Sequence, residues 1–413
     1  MVKSPHTIVV GGGLAGLRIA HRLALQEQNE EHEILVLEQY GVWGGRVATH
    51  HKDGLTYEIG AGRIFKGHKR VGELVKEFNL KTYPISTKSF TADGERNPFL
   101  SLFEPIRQVL NRTDPHTLAT NTIYELVPPE FHGIFQYYPY WAEIHMMRAD
   151  LALKEFSPND TMGSKKDDDF YGIQGGLDQL TKGLYDQCKK AGVVLKDKHK
   201  VTNIKRLADD LFEVSGDDFT YNPQRVIIAT TRGEYPMFDV LKHTPMLKQL
   251  AMSPLTRIYA VYPKNPTTGK VWFSDKKFVV DDPLRYIIPI NQDTGLIMIS
   301  YTDGTDTEAW KDLKDEDLQD KIQADLKHLF PEETIPEPTY LKKHEWIYGC
   351  TYWLPAKSPG NYEPHKAMLE AQNPSLNLYV CGESVSLVQA WMEGALESAD
   401  LLATRMAKNP RLE

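Results

Sequence analysis

The first residues able to do chemistry lie close to the start of the chain. There Gly11-x-Gly13-x-x-Gly16 follows an apolar run, Thr7–Val10, and opens a helical pattern. Glycines at this spacing divide three tasks: Gly11 permits a tight turn, Gly13 lets a pyrophosphate approach the backbone, and Gly16 lets helix and strand pack closely. Leu14 and Ala15 stand in the first helical turn, whose free N–H groups and partial positive charge attract phosphate. Glu38 follows a second apolar run, Ile34–Leu37, and lies 22 residues past Gly16, with Gln39 beside it. A carboxylate there accepts ribose hydroxyls and disfavours the extra phosphate of NADP. A bare glycine fingerprint is weak, since a glycine turn need hold nothing. Strand, helix and acid in this order point to a dinucleotide.

The fingerprint alone does not choose between NAD and FAD, but later segments do. Gly44-Gly45-Arg46 is a second glycine pair with a cation. YEIGAGR at 57–63 contains a third turn, Gly60-Ala61-Gly62, ahead of Arg63. YGIQGGLDQL occupies 171–180 and RVIIAT 225–230, and far downstream LYVCGES at 378–384 leads into AWMEGALESA at 390–399. Taken together and in this order, these motifs resemble the flavin amine oxidase superfamily of monoamine, polyamine and L-amino-acid oxidases, over nearly the whole chain. The resemblance implies FAD as cofactor. It implies that Glu38 holds the adenosine ribose, Arg46 contacts the cofactor near its phosphates, and the backbone of Val201, in KVTNI, contacts adenine. Glu383, after Gly382, would lie by the pyrophosphate and ribityl chain. The N–H of Met392 would face the flavin O2, with Trp391 and Ala395 on the same segment; a helix N-terminus there stabilises charge at N1/O2. There are departures. Val42 stands where the family has an arginine two residues before the glycine pair, and Arg257 stands where many members use a lysine to hold a water near flavin N5.

The same resemblance bears on substrate. Arg63 matches the arginine with which L-amino-acid oxidases grip the substrate carboxylate, by two parallel charge-assisted hydrogen bonds; the plainer reading is that it pairs with a neighbouring acid or with the cofactor. Trp391 matches an aromatic lining the pocket opposite the flavin, with Tyr352 and Trp353 as the facing wall. Tyr137, Tyr138, Tyr140 and Trp141 fall where relatives have pocket-lining helices, although four aromatics so close cannot all face inward. Cys350 stands in GCTYW, comparable with the segment through which monoamine oxidases attach FAD, but Thr351 breaks the register, and an inert small hydrophobe is the expected reading. The implied reaction is oxidation of the C–H next to an amine, that of an L-amino acid first, by hydride transfer to flavin N5. Dioxygen is the acceptor; imine, then oxo acid, ammonia and hydrogen peroxide are the products. The alternatives are an amine or polyamine oxidase, a desaturase or isomerase on the same fold, or a flavin-binding protein without turnover.

These residues need elements to hold them. Leu17, Ala20, Leu23 and Ala24 recur at helical spacing, and Leu177, Leu180 and Leu184 do so after Gly175-Gly176. Strands are expected at 193–195, 211–214, 225–229 and Leu378–Val380, and a helix from the 390s through Ala407. Between 255 and 302, RIYAVY, KVWF, RYIIPI and LIMISY alternate as an antiparallel sheet would. Residues 143–153 and 307–330 read as helices. The expected fold is α/β: a discontinuous FAD-binding Rossmann-type domain from 1–80, 171–235 and 370–413, and an α+β substrate domain from 81–170 and 236–369.

At 413 residues, two domains are expected. With 48 Lys plus Arg against 56 Asp plus Glu, the net charge of -8 offers no basic face for nucleic acid. KKDDD at 165–169 and the acidic stretch at 312–320 read as solvated surface. Three separated cysteines, Cys188, Cys350 and Cys381, suggest neither disulfide nor zinc, and His50, His51, His132, His145 and His344 lack metal-ligand spacing. No leader, membrane span or address is read, so the expected setting is the cytoplasm. The expected partners are a small amine or amino acid and O2, with a homodimer left open.

Overall fold

The computed structural model describes residues 5–27, 32–356 and 363–408. The opening βαβ unit forms from Thr7–Val10, Leu14–Gln26 and Ile34–Leu37. Its strands enter a five-stranded parallel sheet ordered 378–380, 225–228, 7–10, 34–37, 194–196. Every residue of TIVV, ILVL, RVII and LYV is buried, as a sheet covered on both faces requires. Alternation divides those side chains between two cores. Ile8, Val10, Leu35, Leu37, Val226 and Ile228 meet Ile204, Phe212 and Val214 of a small antiparallel sheet. Val9, Val36, Ile227 and Tyr379 meet Leu17 and Leu23 of the first helix, Leu180 and Leu184 of Asp178–Lys190, and Leu396 and Leu402 of Met392–Lys408. Each fully buried aliphatic side chain contributes roughly 1.5–3 kcal/mol. Gly16 permits this approach: a Cβ there would lie 1.9 Å from the Gly11 carbonyl oxygen.

A second five-stranded sheet, antiparallel throughout, runs Phe278–Val279, Tyr286–Asn291, Leu296–Asp303, Leu250–Val261, Tyr340–Trp353. One face, with Ile258, Ala260, Ile297 and Ile299, packs on Leu318, Ile322 and Leu326 of the helix Asp315–Leu329. The other turns Arg257, Tyr259, Met298 and Tyr301 toward a cavity.

Three expectations need correction. KVWF at 270–273 forms no strand. Asn265 closes a local turn instead, its Oδ1 accepting the Thr267 and Thr268 N–H groups at 2.9 and 3.1 Å while its N–H reaches the Lys270 carbonyl. The helix expected at 307–330 begins only at Asp315; a 3₁₀ turn covers Gly304–Trp310, and Asp312 at φ 63° breaks the path between. Residues 143–153 form parts of two short helices, Ala142–His145 and Ala149–Glu155. Arg148 is extended between them, its N–H bound to the Trp353 carbonyl.

Candidate active site

A cavity of about 1220 Å³ opens where the carboxyl ends of the parallel strands face the antiparallel sheet, the usual place for a ligand in such folds. It exceeds the roughly 300–1,000 Å³ of a drug-sized site. The expected cofactor-binding residues line it except Gly16, which packs behind the first turn, and so do Arg63, Arg257, Tyr352 and Trp391.

At one end Glu38 is held from both sides: Oε2 accepts the Gly12 N–H at 2.8 Å and Oε1 the Tyr40 N–H at 2.9 Å. Burial still raises its pKa above the ordinary value. Gln39 donates to Glu234 at 2.9 Å, and Val201 closes that wall. In the middle, Gly13 and Gly44 lie side by side. A Cβ on Gly13 would come no nearer to another residue than 3.7 Å, and one on Gly45 no nearer than 3.8 Å, so the groove there is bounded by bare backbone. Arg46 donates to Glu383 at 2.7 Å and to the Gly349 carbonyl at 3.0 Å, while Glu383 accepts the N–H groups of Thr351 and Ala390 at 2.9 and 3.0 Å. Ala390, at φ 64°, turns the chain into the helix that starts at Met392. A bare-backbone groove, a fixed acid at a strand end and two helix N-termini suit a dinucleotide.

The other end is aromatic. Arg63 donates to the Tyr140 hydroxyl at 3.2 Å, and its guanidinium carbon lies 4.5 Å from the Phe170 ring centre and 5.5 Å from that of Trp391. No carboxylate among the described residues forms an ion pair with it. Trp391 donates its indole N–H to Glu155 at 3.2 Å and meets the edge of His68. Burial, then Arg63, lowers the His68 pKa to about 4. Arg257 donates to the Glu58 carbonyl at 3.1 Å and lies over Tyr301, 4.5 Å from its centre, while its buried Nε has no hydrogen-bond partner. Tyr352 lines the cavity, its hydroxyl donating to Glu143 at 3.1 Å. Trp353 does not: one residue along the strand it points the opposite way, into the core, with its indole bound to the Ser386 carbonyl. Of the 137–141 aromatics Tyr140 lines the cavity, whereas Tyr138 packs on Phe99 and Phe156 and Trp141 stacks on His145. Cys350 is a free thiol in the cavity wall, its pKa pushed up chiefly by burial.

Several cavity residues escape the sequence reading. Glu143 leaves Oε2 without a partner among the described residues, and burial followed by Asp303 and Glu155 pushes its pKa well up. Asp303 accepts the Trp141 and Ala142 N–H groups at 2.7 and 3.0 Å, with its pKa raised by burial to about 7. Lys277, Tyr286 and Tyr301 complete the wall. Each belongs to a segment with no motif; period-two alternation along LIMISYTD marks only that Tyr301 and Asp303 share a face. Among the expected histidines, His344 bonds the Tyr57 hydroxyl at 3.0 Å and His132 the Val127 carbonyl at 2.8 Å. The ligand atoms of His6, Glu27 and His32 lie within 4.8 Å of one another. Their two rings are parallel at 3.8 Å, so the lone pairs do not converge, and Arg225 pairs with Glu27 at 2.6 Å.

The profile of the family described as flavin containing amine oxidoreductase matches residues 14–131 and 130–407, and the chain belongs to that family. It is therefore an oxidoreductase with FAD as its cofactor. Among curated relatives, an L-amino-acid oxidase of Crotalus adamanteus is 23% identical over 465 residues, covering 98% of this chain and 87% of the relative. One from Vipera ammodytes ammodytes is 24% identical over 453 residues, covering 95% and 90%. Cyclohexylamine oxidase from Brevibacterium oxydans IH-35A shares the fold at TM-score 0.75 and 16% identity, covering 99% of this chain and 100% of that one. Wild-type putrescine oxidase bound to putrescine does so at TM-score 0.75 and 15% identity, covering 98% and 99%.

Proposed function

We propose that this protein oxidises the C–H beside the amine of an L-amino acid, with dioxygen as final acceptor. The observation that carries the reading is Arg63: a guanidinium in the aromatic end of the cavity, held by Tyr140 and flanked by Phe170 and Trp391, with no protein carboxylate paired to it among the described residues. Such a group favours a carboxylate supplied by the substrate. The curated L-amino-acid oxidases add support at the level of whole-chain likeness.

FAD, when bound, supplies the acceptor for the hydride and its electron pair. The chain's own part is position and electrostatics. Glu38 would hold the ribose hydroxyls, the 11–16 turn and Arg46 the phosphates, and Val201 the adenine edge, with Glu383 fixing Arg46 by its ion pair. The N–H of Met392, at its helix terminus, would face the flavin O2 and favour negative charge there. Arg257, whose Nε has no partner among the described residues, would be placed to hold a water beside the reacting atoms. Trp391, Tyr140 and Tyr352 exclude bulk water and keep the neutral amine side-on.

The test compares an amino acid with the amine left by removing its carboxylate, reading anaerobic flavin reduction in wild type, Arg63→Ala and Arg63→Lys. The loss of Arg63 is expected to lower kcat/KM for the acid by roughly 2–4 kcal/mol, about thirty- to a thousandfold, and to leave the amine nearly unchanged. Lysine recovers only part, because an ammonium lacks the two-pronged geometry. An equal loss on both substrates would assign Arg63 to the flavin or the fold and leave a plain amine or polyamine oxidase.

A further inference from the structure

Lys277 lies in the loop before the strand Phe278–Val279, buried in the wall of the cavity. Its ammonium donates to the Ser86 carbonyl, and Tyr286, Arg63 and Arg96 are its nearby polar and charged side chains. No carboxylate among the described residues forms an ion pair with it; Asp275, two residues away, borders the cavity but is exposed and makes no such pair. Burial, and after it the nearby Arg63, lowers its pKa; Arg63 and Arg257 line the same end of the cavity. The groups closest to Arg63 in charge terms are tyrosines: Tyr140, Tyr286, Tyr301 and Tyr138. Glu143 and Asp303 line the same cavity, but Glu143 accepts the Tyr352 hydroxyl and Asp303 the N–H groups of Trp141 and Ala142, and among the described residues neither forms an ion pair with Lys277 or Arg63; burial raises the pKa of both. A buried cation without a counter-ion is costly to maintain, and in a ligand cavity its natural partner is an anionic ligand. The cofactor's phosphates are not that partner, because their groove lies against the parallel sheet at Gly13, Gly44 and Arg46, whereas Lys277 comes from the edge of the antiparallel sheet.

We propose that Arg63 and Lys277 form a two-cation subsite that selects a dicarboxylic L-amino acid, Arg63 taking the α-carboxylate and Lys277 the side-chain carboxylate. This rests on the amino-acid reading of Arg63 and adds a substrate class to it. Lys277 is then a specificity-determining residue.

The experiment uses the FAD-loaded protein and two readouts. Anaerobic flavin reduction is measured with L-glutamate, L-aspartate, their amides, L-leucine and L-lysine. Binding of glutarate, a dicarboxylate with no amine to oxidise, is followed by the shift of the oxidised flavin spectrum. Wild type is expected to favour one of the two dicarboxylates over its amide by about thirtyfold or more. Lys277→Met is expected to lower reduction by the dicarboxylate far more than by its amide and to remove the glutarate response; Lys277→Arg keeps the charge and part of the preference. Should Lys277→Met fail to retain FAD, the wild-type substrate order and the Lys277→Arg variant decide. A preference for neutral or basic amino acids, or an equal fall for acid and amide in the variant, overturns the subsite and leaves the amino-acid reading standing. Reduction only by decarboxylated amines overturns both.

Discussion

Trp391 reaches the cavity with its indole N–H engaged by Glu155 and its ring edge against His68, so the surface it offers a substrate is fixed before any ligand arrives. Trp391→Ala is expected to keep bound FAD and to slow flavin reduction by on the order of 10- to 100-fold, the usual cost of a misplaced reactant. Stopped-flow reduction of the purified yellow variant checks this, and joint loss of flavin and soluble protein would mark Trp391 as a core residue. Cys350 presents a thiol whose pKa burial has raised, hence little thiolate to attack a ring. Acid precipitation should therefore release the flavin; colour that stays in the pellet of wild type, and leaves it in Cys350→Ala, would show attachment. What the residues announced in the sequence depended on locality. The fingerprint glycines, Glu38 and Arg63 sit in short turns whose neighbours define them. Lys277, Glu143 and Asp303 enter the site only because distant segments converge, and no spacing marks them.

At the scale of elements, the first turn separates two kinds of glycine. A Cβ at Gly16 would strike the Gly11 carbonyl, whereas Gly13 has an extended backbone, at φ -79° and ψ -177°, and room on its open side. Gly16→Ala is expected to prevent stable folding. Gly13→Ala should change apoprotein stability by less than about 1 kcal/mol while weakening FAD binding, as melting curves and FAD titrations would read. Equal destabilisation by both would show that Gly13 serves packing too. The strands of the parallel sheet were legible because a doubly covered strand is an uninterrupted apolar run. The misread segments fail for local reasons: Asn265 closes a turn that keeps 270–273 out of the sheet, and Asp312 in the left-handed region interrupts a pattern that continues on either side. Neither backbone choice is visible in hydrophobic periodicity.

Across the whole molecule, buried acids and histidines set an uneven pH response. Burial is the largest influence raising Glu58, Glu155 and Asp303 to about 7, and it likewise lowers His68, His145 and His344 to about 4. A carboxyl with a raised folded pKa contributes stability that is whole below pH 4 and lost as pH climbs through 7. A histidine with a lowered one contributes stability that is whole above 6.5 and lost as pH falls through 4. The two sets oppose each other between about 4.5 and 6.5, leaving a plateau, and above it only the carboxyls act. The melting temperature is expected to decline between pH 6.5 and 8.5, by on the order of 1–3 kcal/mol in stability; a rise over that interval would contradict the assignment. Legibility at this scale was good for the class of fold and poor for the charges, since desolvation is a property of the packed whole. The order of the parallel sheet carries one more consequence. Its central strand, 7–10, lies between 225–228 and 34–37, and the edge strand 378–380 and the helix Met392–Lys408 close over it last. On a ribosome that adds about 5–20 residues each second, the glycine turn emerges long before the neighbouring strand 225–228 exists. The nascent first strand must wait many seconds with an apolar edge unpaired. Flavin capture is thus expected to follow synthesis of residues 378–395, which complete the cavity, and the growing chain is the form expected to need most protection from aggregation.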